Sequence, residues 1–263
     1  MAARDIYRYS AVDNRPPYAS LAPLYDRVMA HVEYHSWLEL INSVLKHYSS
    51  AERPRFLELG GGTGILGARL KQSGYSYFGC DCSFAMCAQA RNKNLPFFCS
   101  DARHMPINKS FDIALFLYDG INYLTGPSDY DRLLSGLHPC LENDGLFLFD
   151  ITTEANSLKH FYNFLDFEDF GDYTYVRHSY YEPKSKNQYN DFTIFASRHN
   201  NGGSQLYEKH CERHVQLVLS VEEIKARIAP ELFEIVGIWD GFTFKRYTSR
   251  SERIHFLLRK RAQ

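Results

Sequence analysis

The stretch of this sequence with the clearest chemical meaning is the run Gly60-Gly61-Gly62-Thr63-Gly64. It follows the largely apolar residues 55–59, and helical spacing resumes over residues 65–70. A turn without side chains between a strand and a helix lets a ligand approach the backbone closely. Asp81 and Asp101 follow the next two apolar runs, and carboxylates there can accept hydrogen bonds from hydroxyl or amine groups. These residues predict a ligand site at the carboxyl ends of parallel strands.

The spacing of the glycines distinguishes two kinds of cofactor site. A dinucleotide-binding turn reads G-x-G-x-x-G, but counted from Gly60 and Gly62 the last position is Ile65. The pattern Glu58-x-Gly60-x-Gly62-x-Gly64 instead resembles the first motif of class I S-adenosylmethionine-dependent methyltransferases. The resemblance implies that the turn passes under the methionine part of the cofactor and that Glu58 orders the loop.

Later residues extend the resemblance to the rest of the cofactor. Asp81, roughly twenty positions past the glycines, can accept from both ribose hydroxyls. Ser83 is the predicted N-cap of a helix, and the spacing from Asp81 to Met86 matches the family pattern in which the methionine packs near the adenine. Asp101 is expected to accept from the adenine amine. In full, the expected cofactor contacts are Tyr25, Trp37, Glu58, Gly60, Gly61, Gly62, Gly64, Asp81, Cys82, Met86, Asp101, Ala102, Leu117 and Tyr118.

Two helices predicted within residues 21–50 precede the first strand. Tyr25 and Trp37 belong to a pattern that resembles a subset of the methyltransferases, in which aromatic residues of an N-terminal cap close over the cofactor. The second helix is predicted to be amphipathic; its apolar face is Trp37, Leu38, Ile41 and Leu45. The alternative for Tyr25 and Trp37 is a role in core packing alone.

The fourth predicted strand covers residues 111–117, and the loop that follows it is expected beside the transferable methyl group. It lacks the N-P-P-Y sequence typical of enzymes that methylate the exocyclic nitrogens of bases, and instead resembles small-molecule N-methyltransferases, including those for amino sugars and glycine-type amines. Its candidate catalytic residues are Asp119, Asn122 and Tyr123. Asp119 is expected either to contact a cationic acceptor group or only to cap the loop. The pair Pro139-Cys140, on a predicted helix over 130–141, is expected to be structural.

Composition narrows the range of partners. The net charge of -1 and the pI near 6.8 disfavour a nucleic-acid substrate, which usually requires a basic excess. No apolar run reaches the length of a membrane-spanning helix and the N-terminus does not lead into a signal-peptide core, so we expect a cytoplasmic protein without a membrane partner. The six cysteines are expected to be buried reduced thiols, and no metal site is expected.

The regular alternation of strands and helices predicts an α/β fold. By resemblance this is a Rossmann-like, seven-stranded methyltransferase sheet with an N-terminal helical cap and an inserted antiparallel β meander. The predicted parts are a mobile arm over residues 1–20, the cap over 21–50, and the cofactor domain over 51–152 and 218–263. The insert, residues 153–217, is expected to act as a substrate lid or a dimer contact.

The insert is rich in tyrosine and phenylalanine. Alternating runs at 173–181, 189–195 and 205–217 predict a three-stranded meander. On the last run, His210 and His214 share one face with Glu208 and Glu212 nearby; a solvated charged face is favoured over metal ligation. Residues expected to pack inward are Tyr207, Cys211, Val215 and Leu217. Arg213 is a candidate partner for a substrate carboxylate or phosphate.

The predicted reaction is methyl transfer from S-adenosylmethionine to a small-molecule acceptor by in-line displacement, with S-adenosylhomocysteine as the product and nitrogen favoured over oxygen. The sulfonium already activates the methyl group, and alignment can contribute roughly 7–11 kcal/mol, so an amine that enters uncharged needs no dedicated base. Two alternatives stay open. One is an aminopropyl-type transferase; such enzymes usually have two acidic residues in the loop after the fourth strand, whereas this loop has only Asp119. The other is a non-catalytic scaffold that keeps the cofactor pocket. Both a monomer and a homodimer are compatible with the sequence.

Overall fold

The computed structural model describes residues 14–199 and 205–262, which form two β-sheets and the helices around them. Residues 1–13 of the predicted mobile arm lie outside this range. The arm prediction is wrong for residues 14–20, because this segment is attached to the smaller sheet. Strand β1 (Asn14–Arg15) pairs in parallel with Cys211 and Glu212, and the N–H groups of Ser20 and Leu21 donate to the Glu212 carboxylate.

The larger sheet has seven strands, as the sequence predicts. They are β2 (Arg55–Glu58), β3 (Ser76–Asp81), β4 (Phe97–Cys99), β5 (Phe111–Phe116), β6 (Leu141–Thr152), β11 (Phe233–Asp240) and β12 (Arg253–Lys260), in the order β11-β12-β6-β5-β2-β3-β4. Strands β2 to β6 pair in parallel, while β12 is antiparallel to both neighbours. The order reverses at β2, which lies between β3 and β5. The carboxyl ends of these three strands therefore open into one crevice, the usual place for a ligand in such sheets.

Helices cover both faces of this sheet. They are α1 (Tyr25–Val28), α2 (Tyr34–Tyr48), α3 (Ile65–Gln72), α4 (Phe84–Asn92), α5 (Asp129–Leu137), α6 (Glu154–His160) and α7 (Val221–Lys225). Helix α2 buries Trp37, Leu40, Ile41 and Val44 against the sheet, with Leu38 and Leu45 only partly buried beside them. Pro139 and the buried Cys140 lie in a short 3-10 turn between α5 and β6 rather than on the predicted helix.

The smaller sheet has four antiparallel strands where the sequence predicts three. They are β7 (Asn163–Asp169), β8 (Tyr173–Glu182), β9 (Asn187–His199) and β10 (Gln205–Leu217), with β1 added beside β10. Strand β7 escapes prediction because it forms the edge of the sheet: its residues are exposed except the half-buried Asp166, so they lack the alternation of a half-buried strand.

The predicted orientation of β10 is wrong. Glu212, His214 and Gln216 are almost fully buried, whereas Tyr207, predicted to point inward, is 53% exposed. The physical reason is that the N-terminal segment covers this face: Leu21 and Leu24 pack with side chains of β8 and β9 in a small hydrophobic cluster beside it. Polar side chains can lie there because they hydrogen-bond with one another and with the covering backbone.

Two further expectations concern membrane-spanning helices and thiols. Among the described residues, no helix is both long enough and apolar enough to span a membrane. All six cysteines are free thiols, but Cys82 and Cys99 are exposed, so the expectation of buried thiols is wrong for these two. Both lie at the carboxyl ends of strands, where the sheet opens into the crevice.

Candidate active site

The glycine turn joins β2 to α3 in a backbone conformation that side chains disfavour. Gly60, Gly62 and Gly64 have φ of +57°, +57° and +77°. A Cβ on Gly60 would lie 2.8 Å from the ring of Phe116, and one on Gly64 would lie 2.4 Å from Leu95. At Gly62 the one side chain within 4 Å among the described residues is that of Tyr25, at 3.8 Å, so this glycine leaves open space for a ligand.

Glu58 ends β2 beneath the turn. Its side chain is 5% exposed and accepts a hydrogen bond from the Tyr77 hydroxyl at 2.5 Å. Burial raises the pKa of Glu58 to about 7, against the opposing effect of the Tyr77 hydrogen bond. A Cβ on Gly61 would lie 3.0 Å from the same carboxylate. Glu58 thus supports the turn from below, consistent with the ordering role that the resemblance implies.

Asp81 ends β3 and connects two loops of the crevice. One carboxylate oxygen accepts from the N–H of Gly62 at 2.9 Å, and the other accepts from the N–H of Ser83 at 2.8 Å. Burial raises its pKa, although both backbone hydrogen bonds act in the other direction. Ser83 caps α4 as predicted, accepting from the N–H of Met86. The Cys82 side chain is a third donor to this carboxylate, whose two oxygens can accept four hydrogen bonds in all.

Asp101 has a partner that the sequence analysis missed. The guanidinium of Arg103 binds its carboxylate at 2.5–3.1 Å and also reaches Asp129 at 3.2 Å. This pairing lowers the pKa of Asp101. Asp101 and Arg103 both line the crevice, so the Asp101 carboxylate lies there beside a fixed cation. The local sequence signal for this ion pair is an acidic residue at position 101 followed two residues later by a basic residue at position 103.

A cavity of about 590 Å³, here called the cofactor cavity, runs along these strand ends. Its size is in the usual range for small-molecule sites. The predicted contacts that line it are Tyr25, Gly60, Gly62, Asp81, Cys82, Met86, Asp101, Ala102, Leu117 and Tyr118. A recess of about 50 Å³ adjoins it beneath α1 and α2, lined by Trp37, Glu58 and Gly61 among others. Of the predicted cofactor contacts, Gly64 alone lines neither space, because it packs against Leu95.

The cap is fixed to the glycine turn by polar contacts. Asp26 of α1 accepts from the Thr63 hydroxyl and forms an ion pair with Lys93 at 2.8 Å. Lys93 also donates to the Thr63 carbonyl at 2.9 Å. These contacts hold Tyr25 over the turn, where it lines both the cofactor cavity and the recess.

The loop after β5 carries two consecutive non-glycine residues in the left-handed region, Tyr118 at φ +63° and Asp119 at φ +52°. Such conformations cost of order 1–3 kcal/mol each and persist only where the surroundings enforce them. Arg253 of β12 supplies that support: it donates to Asp119 at 3.0 Å and to the fully buried Asp150. Asp150 also accepts from the N–H of Asp119 at 2.9 Å, and Gln216 donates to the Asp119 carboxylate at 2.5 Å.

The charges in this network oppose one another. Burial raises the pKa of Asp119 and of Asp150, and the guanidinium of Arg253 acts against both shifts. Burial also disfavours the charged form of Arg253, but the two carboxylates outweigh it and raise the pKa of Arg253. The Arg253 guanidinium further lies over the Tyr118 ring at 5.0 Å. Asp119 therefore does more than cap its own loop, since it is one side of a three-residue ion cluster.

Asn122 does not reach the cavities. It is 2% exposed; its amide N–H donates to the Leu217 carbonyl at 2.9 Å, and its oxygen accepts from the N–H of Thr152 at 3.1 Å. These bonds join the loop to β6 and β10. We therefore correct the expectation of a catalytic Asn122 to a structural role, because both ends of its amide are used by backbone groups.

Tyr123, in contrast, does face the cavities. Its hydroxyl lies 2.7 Å from the Tyr18 hydroxyl and 3.0 Å from Nδ1 of His214. Burial raises the pKa of Tyr123 well above its ordinary value. Tyr18 and His214 were not among the predicted site residues. His214 reaches Tyr123 because β10 packs against this loop, and Tyr18 reaches it because the N-terminal segment pairs with β10.

A second cavity of about 590 Å³, here called the acceptor cavity, lies between this loop and the inner face of the smaller sheet. Residues from both sheets line it, including Asp119, Thr152, Asp166, Arg177, Asn190, His214 and Arg253. Four tyrosines line both this cavity and the cofactor cavity: Tyr18, Tyr25, Tyr118 and Tyr123. The two spaces therefore meet at a tyrosine-framed opening. Arg213 lies outside it, paired with Asp191 at 2.7 Å, so its predicted role as a substrate contact is wrong.

The described residues contain no group of three or more histidine, cysteine, aspartate or glutamate side chains arranged to hold a metal ion. His210 and His214 do not converge: His210 lies beside Glu208 at 3.3 Å, whereas His214 lies beside Glu212 at 3.2 Å.

Comparisons with known proteins agree with this geometry. Residues 56–145 match the family model described as a methyltransferase domain. A Geobacillus sp. (strain WCH70) protein with the name "Putative methyltransferase" is 27% identical over 249 residues, covering 92% of this chain and 99% of the relative. The crystal structure of an S-adenosylmethionine-dependent methyltransferase from Clostridium acetobutylicum ATCC 824 superposes with a TM-score of 0.76 at 22% identity, over 93% of this chain and 99% of that one.

A second solved structure, the sugar N-methyltransferase KedS8 from Streptoalloteichus sp. ATCC 53650, superposes with a TM-score of 0.73 at 18% identity, over 100% of this chain and 99% of that one. With the glycine turn and the strand order, these matches define the class: this chain is a class I S-adenosylmethionine-dependent methyltransferase. Its cofactor is S-adenosylmethionine, and the residues present fit it. Gly60 and Gly62 leave the floor of the cavity bare, and Asp81 offers a free lone pair above it.

Proposed function

We propose that this methyltransferase acts on a small-molecule acceptor bound in the acceptor cavity, and that it methylates nitrogen. The observation that carries the proposal is the opening between the two cavities, framed by Tyr18, Tyr25, Tyr118 and Tyr123. S-adenosylmethionine, when bound, supplies a methyl group activated by a sulfonium. The four rings exclude water from the opening, and their faces attract cationic groups.

The charge of the acceptor cavity favours a cationic acceptor. Its lining has three carboxylates, Asp119, Asp166 and Glu168, and two guanidiniums, Arg177 and Arg253. Arg253 pairs with Asp119, and Arg177 pairs with Asp166 at 2.9 Å. Among the described residues, Glu168 forms no ion pair, so its charge is available to a ligand. An amine that arrives protonated would be attracted to such a cavity, whereas a neutral alcohol would gain little.

Two further considerations support an amine. KedS8, which shares this fold, is described as a sugar N-methyltransferase. The loop over residues 118–123 resembles that of small-molecule N-methyltransferases, including those for amino sugars and glycine-type amines. For Asp119 we propose a direct contact: its carboxylate lines the acceptor cavity and keeps lone pairs beyond those used by Arg253 and Gln216.

The test is methyl transfer from methyl-labelled S-adenosylmethionine to paired probes that differ in one group. Glucosamine and glucose form such a pair, as do benzylamine and benzyl alcohol. We expect label on the amine of a pair and none on its alcohol. Transfer to the alcohols alone would overturn the choice of nitrogen, and cofactor binding without transfer to any small amine or alcohol would favour a scaffold.

A charge reversal tests the location of the acceptor. Because Glu168 lies at the acceptor cavity and away from the cofactor cavity, Glu168→Lys should raise KM for the cationic acceptor about three- to tenfold, as expected for one partly exposed charge. Binding of S-adenosylhomocysteine should be unchanged. Glu234→Lys is the matched control, since Glu234 is an exposed strand residue that lines neither cavity.

A further inference from the structure

Four side chains form a continuous hydrogen-bonded row from the core of the smaller sheet to the opening between the cavities. Glu212 Oε2 lies 3.2 Å from His214 Nε2, and His214 Nδ1 lies 3.0 Å from the Tyr123 hydroxyl. The Tyr123 hydroxyl lies 2.7 Å from that of Tyr18. The row begins at fully buried Glu212 and ends at Tyr18, which lines both cavities.

Backbone donors surround the Glu212 side chain. It accepts from the backbone N–H groups of Tyr18 at 2.8 Å, Leu21 at 3.1 Å, and Ser20. Both oxygens of this buried carboxyl group therefore act as hydrogen-bond acceptors. The same bonds hold the N-terminal segment in place, so Glu212 positions Tyr18 through its backbone and His214 through its ring.

This arrangement determines the direction of the row. A neutral imidazole has one N–H donor and one acceptor nitrogen. Because the Glu212 oxygens act as acceptors, Nε2 of His214 is placed to donate to them and Nδ1 is left as the acceptor. Tyr123 therefore donates to His214, and Tyr18 donates to Tyr123. The remaining lone pair of the Tyr18 oxygen is left to accept a hydrogen bond at the opening.

The two tyrosines are suited to passing a proton and unsuited to keeping a negative charge. Burial raises the pKa of Tyr18 and of Tyr123 well above the ordinary value. Tyr18 also has φ of +66°, a conformation that costs energy outside glycine, so its position is enforced by its surroundings. The ring of His214 lies edge-on to that of Tyr18 at 4.5 Å and close to Phe192 at 5.1 Å.

We infer that Tyr18, Tyr123 and His214 form a proton relay that deprotonates the acceptor amine, with Glu212 as its positioning residue. The inference rests on the proposed function. An ammonium has no lone pair for attack until one N–H bond breaks. That proton passes to the Tyr18 oxygen as Tyr18 gives its own to Tyr123 and Tyr123 gives its own to His214 Nδ1. The freed nitrogen lone pair then forms the new C–N bond, and the pair of the broken C–S bond stays on sulfur. The relay ends as an imidazolium beside Glu212 and returns its proton to solvent after the products leave.

The first test needs no acceptor. Nitrogen-15 NMR of histidine-labelled protein reports which imidazole nitrogen is protonated, and the signals of His214 are those lost in His214→Gln. In the neutral ring we expect the proton on Nε2. Tyr123→Phe, which removes one hydroxyl, should shift the Nδ1 signal, while His210→Gln on the same strand should not. A neutral ring with its proton on Nδ1, or no response to Tyr123→Phe, would overturn the relay.

The second test uses the amine that the wild-type enzyme methylates. His214→Gln should lower kcat about 10²–10⁴-fold, the usual contribution of general base catalysis, with KM changed less than about twofold. Tyr123→Phe should act in the same direction, and raising the pH should restore part of the rate in both variants as more amine enters uncharged. His210→Gln is the control, because His210 is also a buried β10 histidine and lines neither cavity.

The outcomes separate the two proposals. If the wild-type enzyme methylates the amine and His214→Gln keeps kcat within about threefold, the relay fails and the proposed function stands. If the wild-type enzyme methylates no amine, the proposed function fails, and the NMR result still decides whether His214 is arranged to accept a proton.

Discussion

Replacing Arg253 with methionine tests how the fold holds the loop where the two cavities meet. Arg253 pairs with Asp119 and with the fully buried Asp150. Methionine keeps much of the side-chain length but leaves two carboxylates without a cation. Breaking a buried ion pair in this way costs about 3–5 kcal/mol. Because Asp119 and Arg253 keep exposures of 19% and 24%, we expect the lower end, about 3 kcal/mol. For a chain of this size that lowers Tm by about 6–12 °C.

The loss should depend on pH with a defined sign. Burial raises the pKa of Asp119 and Asp150 even in the presence of Arg253, so removing the guanidinium raises both further. A carboxyl group whose pKa is higher in the folded than in the unfolded state stabilises the fold at low pH. This contribution is lost as the pH rises through the folded-state pKa. Relative to wild type, Arg253→Met should therefore be least stable at about pH 8 and should recover at about pH 5.

The assay is urea denaturation of both proteins across that pH range. Arg55→Met is the matched control: Arg55 also pairs with two carboxylates, Asp112 and Glu142, but is 45% exposed, so its loss should cost less than about 1 kcal/mol. Adding Asp150→Asn to Arg253→Met should restore part of the stability. A loss for Arg253→Met below about 1 kcal/mol, or one that does not change with pH, would refute the reasoning.

Three other predictions concern the cofactor cavity and the sheet edge. Asp81→Asn should weaken S-adenosylhomocysteine binding about 100-fold by calorimetry, since hydrogen bonds to a charged group are lost, while Asp112→Asn should leave it unchanged. The pKa of Glu58 is raised from 4.5 to about 7, so wild type should lose about 3 kcal/mol of stability between these pH values and Glu58→Gln should not; identical urea profiles would contradict this. Phe167 of the edge strand β7 is 72% exposed, so we expect self-association that Phe167→Lys abolishes in sedimentation equilibrium; a monomeric wild type would contradict it.

The cofactor half of the site could be predicted because it is built from consecutive units of the chain. Gly60, Asp81 and Asp101 each follow a short apolar run, and parallel strands bring their carboxyl ends to one edge of the sheet. The order of strands then follows from the fold, so local spacing is enough to place these residues. Arg103 is the exception, because its contacts with Asp101 and Asp129 depend on loop geometry.

The acceptor half could not be predicted in the same way. Tyr18, His214 and Arg253 come from three distant parts of the chain. The parallel pairing of β1 with β10 in the smaller sheet and the antiparallel pairing of β12 with β6 in the larger sheet bring them together. Periodicity also misled the assignment of β10, since polar residues on one face of a strand usually face solvent. Here the N-terminal segment covers that face and supplies backbone donors to Glu212. A polar strand face that is exposed to solvent and one that is covered by another segment show the same side-chain alternation. Sequence alone therefore cannot distinguish the two.

The loop after β5 lies at both cavities, and the catalytic roles expected of Asp119 and Tyr123 stay predictions. Asp119 and Tyr123 both line the acceptor cavity, as expected for residues beside an acceptor. Asn122 is turned into the core, because the 3-10 turn Gly120–Tyr123 points its side chain at β6 and β10. In such a short turn, neighbouring side chains point in different directions, so one residue can face the cavity while the residue before it faces the core.

The measurement that tests the central claim most directly is a crystal structure with S-adenosylhomocysteine and the methylated amine probe bound. We predict that the ribose hydroxyls contact Asp81 and that the sulfur lies at the opening framed by Tyr18, Tyr25, Tyr118 and Tyr123. The acceptor nitrogen should lie on the other side of that opening, within hydrogen-bonding distance of the Tyr18 hydroxyl. A sulfur atom remote from the opening, or an acceptor outside the cavity between the two sheets, would contradict the account.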